Sequence, residues 1–155
     1  MHELMEEDKK AIRLLTQEIL GKSNSMTYKN FLGKKDNFSK LFVGAKREDF
    51  NGRKKSEQYS FYTENEVGIA LYMMFSNIYN AKHIAKNVYL LDEDTRFSEE
   101  FDVGIPLGEV MLPNGSVIET TMVEAILKVR NPEERNAYTG MPFDIITFRL
   151  VANEW

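Results

Sequence analysis

The residues of this chain best suited to chemistry are those that handle phosphate. His83 is its one interior histidine, with His2 the other, and histidine is the side chain whose unperturbed titration falls near neutral pH. Arg53 and Arg149 offer permanent positive charge and paired N–H donors that match phosphate oxygens. Thr147 offers a hydroxyl donor. In a regular strand, Ile145, Thr147 and Arg149 share one face, and Ile146, Phe148 and Leu150 share the other. Thr147 and Arg149 on a common face, beside a strand carrying Arg130, would make a cationic cleft. Each residue also has a plainer reading. Thr147 and Arg149 fit the outward positions of an exposed strand, and His83 fits a half-exposed residue near a helix end.

Other chemistries lack their residues. The chain has no cysteine, which excludes disulfides and thiolate metal sites. The two histidines are distant and show no carboxylate–histidine spacing, so no metal and no cofactor are expected. Gly44, Gly52 and Gly68 lack the Gly-Lys-Ser/Thr ending of a phosphate loop. No local elbow marks a Ser/His/Asp triad.

Charge is distributed unevenly. The net charge is −4, yet nine basic residues face only three acidic ones between Tyr28 and Lys55. Lys46, Lys54 and Lys55 belong to that segment and are the expected substrate-binding cations. An acidic block follows from Asp92 to Asp102, relieved only by Arg96. Such a pair of segments fits phosphate binding, and fits equally two solvated loops that attract each other. The longest apolar runs fall far short of the roughly 20 residues of a membrane span. The acidic start, Glu3 to Asp8, is opposite to a signal peptide. A cytoplasmic protein with no membrane contact is expected. The initiating Met and helical start suggest a free-standing intracellular or phage-borne chain.

These residues need elements to position them. At 155 residues, one domain is expected, with residues 1–40 as a helical N-terminal part. Leu4, Ala11, Ile12, Leu15 and Ile19 recur at helical spacing, and Gly21 is a plausible stop. Leu41 to Gly44 and Gln58 to Tyr62 read as short strands. Thr63-Glu64-Asn65-Glu66 has the form of a capping box. The helix it opens carries Val67, Leu71, Met74, Phe75 and Ile78 on one face. Val88 to Leu91 fits either a strand or a helix end, and the acidic block reads as a loop. Pro113-Asn114-Gly115 then predicts a hairpin, with a primed turn. Residues 121–129 alternate, with Val123, Ala125, Leu127 and Val129 toward the core. The expected class is α+β, with N-terminal helices followed by an antiparallel sheet from residues 107–151.

The chain resembles the bacterial RNase A-like toxin domains found at the C-termini of contact-dependent inhibition effectors. The resemblance covers residues 42–151 in collinear order. It runs through Phe42-Val43-Gly44, Arg53, Ser60-Phe61-Tyr62-Thr63 and the helix after it. It continues through Leu107-Gly108 to Thr120, Val123 to Arg130, and Ile145-Ile146-Thr147-Phe148-Arg149. The family's catalytic group is a His, an Arg, and a Thr and Tyr on the last strand. These cleave RNA without metal, with the ribose 2′-hydroxyl as internal nucleophile. Carried over residue by residue, Arg53 matches the Arg and Thr147 the Thr. Phe42 stands where the His belongs and Arg149 where the Tyr would be. The resemblance thus implies a small toxin-ribonuclease-like fold and a metal-independent RNA-cleaving or RNA-binding protein. His83, or a carboxylate of Glu64, Glu66 or Asp144, would then have to supply the missing base. The alternative is a catalytically lapsed relative acting as a protein-binding module of phage or mobile-element kind, with a protein such as an inhibitor as its partner.

Overall fold

The N-terminal periodicity forms helix α1, Glu6–Gly21, in a computed structural model that describes residues 3–33, 41–45, 50 and 58–153. A short helix α2, Tyr28–Leu32, follows, N-capped by Thr27, whose hydroxyl accepts from the Asn30 amide. Two longer helices are α3, Glu64–Ser76, and α4, Ile78–Leu90. The strands are β1 Tyr59–Phe61, β2 Arg96–Asp102, β3 Gly108–Met111, β4 Val117–Thr120, β5 Met122–Val129 and β6 Phe143–Val151. The α+β class, with the helices in the N-terminal part and most strands after them, is as the sequence predicts, and β1 alone among the described strands precedes α3 and α4. The strands, however, build two antiparallel three-stranded sheets, ordered β1-β3-β4 and β2-β5-β6, in place of one.

Local signals account for most of these elements. Thr63 caps α3, accepting from the Asn65 amide at 3.2 Å and bonding the Glu66 carboxylate. The helix buries Val67, Ala70, Leu71, Met74 and Phe75. It stops before Ile78, because Asn77 is extended and caps α4 by accepting from the amides of Tyr79 and Asn80. Ile78 therefore leaves the core stripe and stays 43% exposed. Val88 to Leu90 end α4 as helix, not strand.

The Pro113-Asn114-Gly115 hairpin joins β3 and β4, as predicted, but not by a primed turn. Only Gly115 takes a positive φ, 87°, while Asn114 uses its side chain to accept from the Ser116 amide. The Gly115 amide donates back to the Leu112 carbonyl, which makes a three-residue loop with glycine in the left-handed position. The Leu41 to Gly44 run contributes a single parallel bridge, Val43 to Phe61, alongside β1.

The core lies between the inner face of β2-β5-β6, the β1 strand and the helices. Phe148 stacks on Phe61 at 5.9 Å, and Phe75 stacks on Phe143 at 5.5 Å. Phe148, Leu127 and Leu71 share this core, as the alternation predicts. Thr120 ties the two sheets together by donating to the Val151 carbonyl.

One ion pair fastens the long 131–142 loop to α1. The Arg135 guanidinium bonds both oxygens of Glu18, at 2.5 and 3.0 Å, and Lys22 bonds the same carboxylate. The Arg135 bonds hold the Glu18 carboxyl below its ordinary pKa, with burial opposing and Lys22 assisting. Glu18→Gln is expected to cost about 1–2 kcal/mol, between the values for exposed and buried pairs. The carboxyl is lowered in the folded state, so its stabilisation is complete above the ordinary value of about 4.5 and is lost as pH falls through the lowered folded-state pKa. Denaturant unfolding across pH should show the variant converging on the parent at acid pH.

Candidate functional site

A β-bulge decides what the last strand presents. The β5–β6 register shifts between Ile126 and Leu127, so Ile126 pairs with Thr147 but Leu127 pairs with Ile145. Ile146 is the extra residue. Ile145 therefore turns inward and packs against the core, while Thr147 and Arg149 face outward. The expected face of Ile145, Thr147 and Arg149 is broken, although Thr147 and Arg149 do come together.

That outward face is electrically balanced. Arg149 donates from Nε to Glu124 Oε1 at 2.9 Å, and its second nitrogen lies 2.8 Å from the same oxygen. The registers place Arg96, Lys128 and Arg149 on the face with Glu100, Asp102, Glu124 and Asp144. Arg130 joins them through its bond to Asp144, so four cations meet four carboxylates, and the described part of this face carries no excess of positive charge. Arg53, Lys46, Lys54 and Lys55 lie outside the described residues.

His83 lies on the other side of the same sheet. It projects from α4, and its Nδ1 bonds Glu99 Oε1. Glu99 points inward from β2 and is 6% exposed, with its second oxygen accepting from Asn80 Nδ2 at 2.7 Å. Asn87 Nδ2 lies 3.5 Å from His83 Nε2. With the buried Glu99 carboxylate accepting from Nδ1–H, a neutral His83 would present Nε2 outward as an acceptor, the arrangement of an oriented base. It is not brought to Thr147 or Arg149, since the sheet separates them.

Glu99 is the partner that sequence reasoning missed. Its signal was present as alternation: Phe97, Glu99 and Phe101 point inward, while Arg96, Ser98, Glu100 and Asp102 point outward. The central inward residue is charged, so the strand read as an acidic loop. An inward charge on an edge strand also discourages pairing with other chains.

Of the remaining candidate bases, Glu64 is exposed on the first turn of α3 and the other two are engaged. Asp144 accepts from Arg130 at 2.7 Å and from Asn136 at 2.9 Å, and Glu66 serves the α3 cap. Phe42, at the position of the family's histidine, is 9% exposed and meets the Tyr59 ring edge-on at 5.5 Å within the core. No group of three His, Asp or Glu side chains among the described residues is placed to hold a metal ion. No described helix is long and apolar enough to cross a membrane.

Two concavities are lined by described residues. A polar cavity of about 420 Å³ lies between α2, the 131–142 loop and the start of β6, with Arg130 and Asp144 paired in its wall. A groove of about 490 Å³ runs between α1 and α4, with Leu4, Ile12, Leu20 and Ile78 along it and Lys9, Arg13, Lys82 and Lys86 at its margins. No protein-family model, curated protein or solved structure matches the chain.

Proposed function

We propose that this protein is a catalytically lapsed relative of the RNase A-like toxins that acts by binding a protein partner. The observation that carries this reading is the position of Phe42. Its ring packs in the core against Tyr59, so the family's histidine position does not open onto the face of Thr147 and Arg149. Metal-free cleavage needs a base, an acid and cations converging on one phosphate. Here the oriented histidine, His83, and the Thr147–Arg149 pair lie on opposite sides of one sheet, and Arg149 is neutralised by Glu124.

The protein is expected to leave total RNA intact in the presence of chelator, over the times in which an active ribonuclease would degrade it. Phe42→His should lower stability by about 1–3 kcal/mol, by burying a polar group, and should bring no cleavage. Cleavage that is lost in Thr147→Ala while the fold persists would overturn the reading. RNA binding that weakens steeply with salt would replace it with an RNA-binding role.

A further inference from the structure

We infer that the groove between α1 and α4 docks an acidic amphipathic helix of a partner protein. This rests on the binding reading above and names the surface and the partner's chemistry. The two helices run antiparallel: Tyr89 near the end of α4 donates to Asp8 at the start of α1, and Leu20 meets the groove with Ile78 at the other end. From Glu6 to Leu20 the α1 wall of the groove is about 21 Å long at 1.5 Å per residue, which a partner helix of about four turns would fill.

The residue types select the occupant. The groove presents aliphatic side chains, Ile78 exposed and Leu4, Ile12 and Leu20 half-buried. Lys9 and Arg13 stand one turn apart on one margin, and Lys82 and Lys86 stand one turn apart on the other. No carboxylate lines it. Of the neighbouring ones, Asp8 accepts from Tyr89 and Glu18 holds Arg135, while Glu6 lies 3.5 Å from Lys9 in a solvent-exposed pair that is worth little. In a chain of net charge −4, this is a local concentration of positive charge around apolar surface. A helix with an apolar stripe at i, i+4 and i+7, flanked by Asp or Glu at i, i+4 spacing, matches both features. RNA would want aromatic rings for its bases, and the groove offers none.

The test uses fluorescence anisotropy with a labelled designed peptide of about 18 residues, a leucine stripe flanked by glutamates, long enough to span the groove. Saturable binding is expected, weakening as salt rises. Lys82→Glu with Lys86→Glu, and separately Arg13→Glu, should each lower affinity about tenfold or more while circular dichroism stays unchanged. These side chains are exposed, so the fold does not depend on them. Absence of binding, equal binding of a scrambled peptide, or affinity untouched by the charge reversals would overturn the inference. So would vesicles containing phosphatidylserine binding in the peptide's place, or self-association by sedimentation that the same variants abolish. Those failures would leave the binding reading standing, which the RNA cleavage assay decides by itself.

Discussion

Phe148→Ala is expected to lower stability by about 3–5 kcal/mol, the usual range for emptying an aromatic core site. Phe148 is 1% exposed and stands at the junction of the two sheets. Its ring stacks on Phe61 of β1 and lies 5.9 Å from the Phe31 ring of α2, and its carbonyl accepts from the Tyr59 hydroxyl. Two separate elements, β1 and α2, lose contact with its ring at once, and neighbours held by their own elements cannot collapse into the space. Urea unfolding checks this. A loss below about 1 kcal/mol would mean that the inward and outward faces of β6 are assigned the wrong way round.

Gly108→Ala is expected to cost about 3 kcal/mol or more, at or beyond the top of the usual overpacking range. Gly108 opens β3 directly opposite Phe61. A methyl group there would lie 2.1 Å from the Ser60 carbonyl oxygen, 2.6 Å from Leu150 Cδ1 and 2.7 Å from Phe61 Cα. Leu150 can turn away, but the carbonyl and Cα are backbone. Relief therefore requires β1 to separate from β3. Separation would also disturb the bond from the Phe61 amide to the Phe42 carbonyl and the bridge beside it. The unfolding midpoint should fall sharply, and a midpoint within about 1 kcal/mol of the parent would show that β1 is free to shift.

Both substitutions probe the packing that keeps Phe42 and the outward face of β6 apart. The binding reading depends on this separation. If Phe148 and Gly108 lock β1 against β6 as the contacts indicate, no modest rearrangement carries the Phe42 position round to Thr147. Restoring the family's histidine would then restore no site.

The sequence by itself determined the elements whose signals are local. Helical spacing marked α1 and the buried stripe of α3, Thr63 marked where α3 begins, and Asn114-Gly115 marked the β3–β4 hairpin. Alternation from residue 121 marked β5 and its core face, since Val123, Ala125, Leu127 and Val129 are all buried. These signals rest on capping bonds, turn conformations and side-chain periods, which are settled within a few residues.

Tertiary structure alone decided the rest, because it depends on which distant segment lies opposite. The bulge at Ile146 arises from the register with β5, and it separates Ile145 from Thr147 and Arg149. The strand within the acidic block becomes visible only when Asn80 and His83 arrive to satisfy Glu99, from 19 and 16 residues away. Glu18 finds Arg135 across 117 residues. The α1–α4 groove exists only because two helices far apart in sequence lie side by side, which brings two unremarkable lysine and arginine pairs to the margins of one apolar trench. Charge and face belong to a residue's neighbours in space, and no periodicity within either segment records them.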